Sequence, residues 1–266
     1  QSLSSTALIY TEQISGKVDK INSGSLELVS LAASSQNYYT SSPLGRYLTQ
    51  QDILTRLQDR IRYVESSDLY FFYRTDSDEL LTALSNRAST GSSYFWNQYL
   101  MLPPTQPANT WFSVTCNGET WLMCYYNVSQ VRVGAAVRAK TLLQSLYADT
   151  GLVQDSGFAL AGLDGTIVYS SQPDLMACGT SLAGHIPASL IVESHTVPEV
   201  GTLLLFRPSS DLLHQLSGSF GWLLLLNLLA LALITTMLLN TNRHITVPIQ
   251  QLTEGAVSYT HLRAHE

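Results

Sequence analysis

The residues best suited to bind a small molecule lie on three consecutive predicted strands. Two β-rich runs flank Asn117-Gly118, the dipeptide favoured in a two-residue type I′ turn, and a third run covers residues 131–137. One face of the resulting sheet carries Trp121, Tyr125, Arg132, Gly134 and Ala136. An arginine binds a carboxylate through two parallel hydrogen bonds, and aromatic rings enclose the apolar part of a ligand. We therefore predict a site here for a small molecule, in particular one that carries a carboxylate.

The register of these strands determines which side chains share a face. The first turn pairs Val114 with Trp121, and a second tight turn at Val128-Ser129 pairs Tyr125 with Arg132. A slip of one residue would exchange the two faces. In that case the aromatic residues form an ordinary core and Arg132 pairs with an acid at the surface, so the sequence leaves both interpretations open.

Four further residues are candidates for contacts with the same ligand. Tyr94, Trp96 and Tyr99 lie in a segment with too little periodicity for an assignment, and they could cover the aromatic face. Arg74 ends a predicted strand over residues 68–74, and the alternative for it is a solvated arginine.

Signatures of catalysis and of metal binding are poor. Ser181 lies in a near match to the nucleophile elbow G-x-S-x-G, but Ala183 occupies the position of the second glycine. His261 and His265 have the spacing of a helical metal pair and lack a third ligand. We predict no catalytic residue, no metal and no cofactor for this segment.

Composition narrows the class of protein. The chain has 266 residues, of which 45% are hydrophobic and only 13% are charged, so it can build one large core or two small ones. Its formal net charge of -6 argues against nucleic-acid binding, which needs clustered Lys and Arg.

Hydrophobic periodicity predicts the elements that position these residues. Apolar residues recur at spacings of three, four or seven over residues 3–28, which indicates a long helix that packs on its own domain or forms a dimer seam. A second amphipathic helix and a strand precede the three-stranded meander. A hairpin around Asp164-Gly165 and strands over residues 189–195 and 202–206 then predict a second, smaller sheet.

An uncharged, leucine-rich run covers residues 215–242. Twenty residues of α-helix span about 30 Å, the thickness of the bilayer hydrocarbon, so this run predicts a transmembrane helix. The alternative is a buried helix in a large soluble core. Asp211 before the run and Arg243 after it favour a cytoplasmic C-terminal side.

The order of these elements resembles that of the extracytoplasmic Cache sensors of bacterial signalling receptors. The segments DLYFFYR, at residues 68–74, and GFALAGLDGTIVYSS, at residues 157–171, are similar to strands of double-Cache domains in sensor histidine kinases. The segment ITVPIQQLTEGA resembles the start of a HAMP signal-relay helix. Its matching positions are Pro248, Ile249, Leu252 and Glu254.

This resemblance implies an α+β fold with a long N-terminal helix, two PAS-like (Cache) antiparallel sheets, a transmembrane helix and the start of a HAMP helix. The last ten residues, 257–266, are predicted to be foreign to the reading frame, because their sequence does not continue the HAMP pattern. The implied divisions are the long helix at 1–45, a membrane-distal domain at 46–140, a membrane-proximal domain at 141–212, the transmembrane helix at 217–240, the HAMP start at 243–256 and the tail at 257–266.

The resemblance also implies a function. It favours the ligand-sensing region of a homodimeric sensor histidine kinase in the bacterial cell membrane, with the N-terminal domain outside and the C-terminus in the cytoplasm. Its partners would be membrane lipid and, through a kinase core absent from this segment, a cytoplasmic response regulator. A chemoreceptor shares every feature, and a membrane-anchored surface protein is a further alternative.

Overall fold

The computed structural model describes residues 3–35, 42–64, 66–87, 90–148, 156–183, 186–187, 189–246 and 249. The chain divides into two compact units, residues 1–208 and residues 209–266. The architecture is α+β, as predicted, with a long N-terminal helix, two antiparallel sheets and an apolar C-terminal helix.

Two helices open the first unit. Helix α1 covers Leu3–Ser35, and the predicted stripe is buried along it, including Ala7, Ile14 and Ile21. Helix α2 covers Pro43–Tyr63. It begins where Ser42 accepts a hydrogen bond from the backbone N–H of Gly45 at 3.0 Å and where proline pre-sets the helical φ angle.

The first sheet has five strands in the order β2-β1-β5-β4-β3. The 10-residue helix α3, Thr90–Tyr99, lies between its second and third strands in sequence. The strands are β1 (Leu69–Arg74), β2 (Glu79–Leu84), β3 (Phe112–Cys116), β4 (Glu119–Val128) and β5 (Val131–Arg138).

The first predicted turn is confirmed. Asn117 and Gly118 both have positive φ angles, 52° and 78°, and Val114 pairs with Trp121. A type I′ turn requires this left-handed backbone at both central residues, which asparagine and glycine adopt most readily.

The second turn lies one residue further along than predicted, and the strand pairing shifts by two residues. Val128 pairs with Val131, so the turn residues are Ser129 and Gln130, and Ser129 has a φ angle of 54°. The expected pairing of Tyr125 with Arg132 is therefore wrong. A shift of two residues leaves every side chain on its predicted face, because the side-chain period of a strand is two.

The second sheet has four strands in the order β7-β6-β9-β8. The predicted hairpin around Asp164-Gly165 is confirmed: residues 162–166 connect the first two strands, which pair antiparallel with a register shift after Leu160. Two short helices, α4 (Ala139–Leu142) and α5 (Gln144–Ala148), connect the two sheets. The strands are β6 (Gly157–Ala161), β7 (Ile167–Ser170), β8 (Leu190–Val197) and β9 (Gly201–Pro208).

One hydrophobic cluster joins the stripe of α1 to both sheets. It includes Ile14 and Ile21 of α1, Tyr70 and Val133 of the first sheet, and Leu203 of the second. A second cluster occupies the opposite face of the first sheet, under α3.

The second unit begins with helix α6, Ser209–Thr241. Residues 221–245 are long and apolar enough to cross a membrane, and their described side chains are all exposed. Of the residues predicted to begin a HAMP helix, Ile249 is described and exposed. Pro248, Leu252, Glu254 and the tail at 257–266 lie outside the described residues.

A buried ion pair joins the start of β1 to the end of β5. The Arg138 side chain donates to both carboxylate oxygens of Asp68, at 2.9 and 3.2 Å, and its backbone N–H donates at 3.0 Å. Burial acts to raise the pKa of Asp68, but the hydrogen bonds from Arg138 outweigh it and hold that pKa below its ordinary value of 3.8.

We expect Gly24→Ala to destabilise the first unit, although alanine normally favours helices. A Cβ atom on Gly24 would lie 2.5 Å from the hydroxyl oxygen of the buried Tyr70, whereas one on the exposed Gly16 would have no neighbour within 4 Å. Urea unfolding should show a loss of about 1–3 kcal/mol for Gly24→Ala and a gain of about 0.5–1 kcal/mol for Gly16→Ala. Tyr70→Phe should restore part of the loss; equal effects of the two glycine substitutions would contradict this packing.

We expect Asp68→Asn to cost about 3–5 kcal/mol of unfolding free energy at neutral pH, because it leaves Arg138 without its carboxylate. The lowered pKa means that the stabilisation by Asp68 is complete above 3.8 and is lost as the pH falls through the folded-state value. The variant should therefore lose less stability than the natural chain between neutral pH and about pH 3. Asp19→Asn, on the exposed face of α1, is the control for loss of one carboxylate and should cost little unfolding free energy at neutral pH.

Candidate functional site

Five of the seven predicted ligand residues lie together on the predicted face of the first sheet. They are Trp96, Tyr99, Trp121, Tyr125 and Arg132. The alternation along β4 and β5 brings the last three to this face, and α3 supplies the first two. The opposite face of these strands packs against α1, which excludes the exchange of faces that the sequence left open.

Helix α3 covers this face with aromatic rings. The Trp96 ring meets the Trp121 ring edge to face, with centroids 5.2 Å apart, and it meets the Tyr99 ring at 5.7 Å. Such geometry places the positive ring edge against the negative ring face. Trp96 and Tyr99 therefore lie over the sheet face that carries Trp121, and their contact with a ligand stays a prediction.

Arg132 is a buried cation, with 8% of its surface exposed. Its guanidinium lies 5.4 Å from the Tyr73 ring centroid and 5.6 Å from that of Tyr125. The Nη1 atom donates to the backbone carbonyls of Leu100 and Leu102, at 3.0 and 3.1 Å. Burial lowers the pKa of Arg132, and no acidic side chain in the described part of the chain forms an ion pair with it.

Three buried donors of this cluster have no hydrogen-bond partner among the described residues. They are Nε of Arg132 and the indole nitrogens of Trp96 and Trp121. Buried donors without acceptors are costly, and most proteins avoid them. The cluster can therefore accept a molecule that brings acceptor oxygens, and a carboxylate would also compensate the charge of Arg132.

The segment over residues 100–110 lies across the two strands that carry Tyr125 and Arg132. The Tyr125 hydroxyl donates to the carbonyl of Gln106, and the backbone N–H of Asn109 donates to the carbonyl of Tyr125 at 2.8 Å. Residues 101–107 are all exposed and have no regular secondary structure. The segment is thus held by hydrogen bonds to its main chain, and two predicted ligand residues supply them.

Two predicted ligand residues do not join this cluster. The Arg74 Nε atom donates to Asp76 at 2.9 Å in the turn after β1. Tyr94 is 69% exposed on α3, and its hydroxyl accepts a hydrogen bond from Gln98 at 2.8 Å. Side chains alternate between the two faces along β1 and follow the helical period around α3, so these two side chains point away from the shared face.

The cluster also contains a residue that sequence reasoning missed. Tyr73 of β1 lies beside Arg132 and donates its hydroxyl hydrogen to Asp78 at 2.8 Å. The strand pairing of β1 with β5 places Tyr73 directly opposite Arg132. That pairing joins strands that are distant in sequence, so local turn chemistry carried no signal for it.

No group of three or more metal-ligating side chains occurs within the described ranges. His261 and His265 lie outside these ranges.

Comparison of sequences gives no relative: no family model and no curated protein matches the chain. Comparison of structures gives several similar folds. The periplasmic sensory domain of the Campylobacter jejuni chemoreceptor Tlp1 has 10% identity and a TM-score of 0.54, and the match covers 78% of this chain and 94% of that domain.

Two further solved structures match with lower scores. The periplasmic domain of Vibrio cholerae LuxQ has 15% identity and a TM-score of 0.36, with 76% of this chain and 100% of that one covered. The ligand-binding domain of the Pseudomonas aeruginosa amino acid chemoreceptor PctB, in complex with L-Arg, has 12% identity and a TM-score of 0.47, with 82% and 92% covered. The similarity to Tlp1 shows that the chain has the Cache-like fold of a bacterial periplasmic sensory domain.

Proposed function

We propose that this chain is the ligand-sensing region and membrane anchor of a bacterial transmembrane receptor. The observation that carries the proposal is the succession, in one chain, of a sensory-domain fold and a helix able to cross a membrane. In this proposal the first unit lies outside the cell and the residues after the membrane helix lie in the cytoplasm.

The proposed ligand site is the cluster around Arg132. A ligand carboxylate would take the place that the carbonyls of Leu100 and Leu102 now hold at the guanidinium. It would form two charge-assisted hydrogen bonds, which are stronger than those to neutral carbonyls. The rings of Tyr73 and Tyr125 and the indoles of Trp96 and Trp121 would enclose the rest of a small molecule.

Ligand binding would change the receptor through the segment over residues 100–110. The carbonyls of this segment accept the hydrogen bonds of Arg132 and Tyr125, so a ligand that takes these hydrogen bonds has to displace part of the segment. The ligand then favours the displaced arrangement by the difference between its affinities for the two states. In the proposed homodimer this preference would pass along the chain to the membrane helix and to the HAMP-like residues Pro248, Ile249, Leu252 and Glu254.

The proposed output is that of a two-component histidine kinase, whose cytoplasmic partner is a response regulator. A chemoreceptor is the second candidate, because the sensory domain of similar fold belongs to one. The natural coding sequence that continues the HAMP-like segment distinguishes them. A phosphoacceptor helix with an ATP-binding lobe identifies the kinase, whereas a long methyl-accepting coiled coil identifies the chemoreceptor.

We expect Arg132→Gln to weaken the binding of a carboxylate ligand. A thermal-shift screen of the chain in detergent micelles, with L-amino acids and small mono- and dicarboxylates as probes, would first identify a stabilising compound. Loss of a bidentate charged contact should then weaken its binding roughly 10- to 100-fold in calorimetric titration.

The conservative variant Arg132→Lys should keep part of the affinity, since it keeps the charge but not the planar fork. Arg46→Gln, on the exposed surface of α2, removes the same charge elsewhere and should bind the compound unchanged. Unaltered binding by Arg132→Gln would remove Arg132 from the site.

We expect protease added to intact cells to cleave the first unit, because the proposal places it outside the membrane. Immunoblotting for an N-terminal tag measures the loss of the full-length band, and a cytoplasmic protein serves as the control. A first unit that stays intact until the cells are lysed would contradict the proposed topology.

A further inference from the structure

The side chain of Asn227 is exposed on the helix that can cross a membrane. It lies six residues after Gly221, where the apolar stretch 221–245 begins, and therefore about 9 Å along the helix axis. Leucines precede it at residues 223–226 and follow it at residues 228 and 229. In the proposed topology its amide lies among hydrocarbon chains, which offer no hydrogen-bond partner.

The helix itself satisfies only part of this amide. The Nδ2 atom of Asn227 donates one hydrogen to the backbone carbonyl of Leu223 at 2.9 Å. No other hydrogen bond of this side chain occurs among the described residues, so its second amide hydrogen and its Oδ1 atom remain available. Thr235 and Thr236 differ, because each donates its single hydroxyl hydrogen to the carbonyl four residues earlier. Asn227 therefore keeps both a donor and an acceptor, which are costly to leave unpaired in hydrocarbon.

Asn227 belongs to a continuous face of the helix, which we call the Asn227 face. Its members are Leu223, Asn227, Ala230, Ile234 and Met237, whose spacings of four, three, four and three place them along one side of an α-helix. All five side chains are exposed in the single chain. The small side chain of Ala230, about one turn after Asn227, allows a second helix to approach closely.

We propose that the Asn227 face binds the same face of a second copy of this chain, with a reciprocal pair of hydrogen bonds between the two Asn227 side chains. Two parallel copies place Asn227 at the same depth in the bilayer. In a pair with twofold symmetry, the free N–H of each amide donates to the Oδ1 atom of the other. The pair thus satisfies the donor and the acceptor that the helix leaves over, which lipid cannot do.

This pairing rests on the proposed function, because both copies have to span the membrane in the same direction. It adds to that function a defined contact between the two receptor copies. A single polar residue in an apolar seam fixes the register of two helices. The Asn227 pair would therefore determine which sides of the two membrane helices meet when a signal passes along them.

The first test is disulfide cross-linking of the full chain in bacterial membranes with copper phenanthroline. A Cys178→Ser background removes the exposed cysteine and leaves Cys116 and Cys124, which are buried. Ile234→Cys, on the Asn227 face, should give a covalent dimer, and adding Asn227→Leu should reduce its yield. Leu229→Cys should give no dimer, because the helical period of 3.6 residues places residue 229 on the opposite side.

The second test measures the dimer dissociation constant of the full chain in dodecyl maltoside micelles, by energy transfer between dyes on the exposed Cys178 of two copies. Asn227→Leu should raise the Kd roughly 3- to 30-fold, as expected for loss of hydrogen bonds between membrane helices. Asn227→Gln keeps a donor and an acceptor and should retain part of the affinity. The matched control is Asn240→Leu, on the opposite side of the same helix, which should leave the Kd unchanged.

Equal cross-linking of Ile234→Cys and Leu229→Cys would overturn the pairing, and so would equal Kd values for Asn227→Leu and Asn240→Leu. Either result would leave the proposed function intact, provided that the chain stays in the membrane during alkaline carbonate extraction. Release of the chain by carbonate would contradict both the pairing and the proposed function.

Discussion

The apolar stripe of α1 is the constraint on which the rest of the first unit depends. One helix of 33 residues contributes a continuous row of buried side chains to a core shared by both sheets. Burial of apolar surface is the main favourable term in folding, so neither sheet can form this core without the helix. Because α1 takes one face of the first sheet, the opposite face is left for α3 and for the aromatic cluster around Arg132.

Local chemistry predicted the parts of this fold that depend on neighbouring residues. The turn at Asn117-Gly118 follows from two residues that accept positive φ angles, and the stripe of α1 follows from its helical period. The second turn was misplaced by one residue, which shifted the pairing by two, since Ser129 is not a strong turn signal. Arg132 nevertheless lies on its predicted face, because the side-chain period of a strand is two residues.

The parts that escaped prediction depend on contacts between distant segments. Helix α3 is rich in Ser, Thr and Gly and is stabilised by the packing of Trp96 on Trp121 rather than by propensity. Asp68 and Arg138 are 70 residues apart, and only the pairing of β1 with β5 brings them together. The sequence could predict that Trp121, Tyr125 and Arg132 share one face. It could not predict the backbone carbonyls that accept hydrogen bonds from Arg132, because main-chain oxygens carry no sequence signature.

Those carbonyls have an evolutionary consequence for the chain. Arg132 and Tyr125 hold residues 100–106 through atoms that every amino acid possesses, so side chains on the exposed outer surface can drift without breaking the bonds. Pro103, Pro104 and Pro107 stiffen the same stretch and thereby reduce the entropy that it gains on release. In the proposed receptor, exchanging one of these prolines would alter the ligand concentration that triggers a response, while the compound that binds would stay the same. Sensitivity and selectivity would then be inherited through different residues.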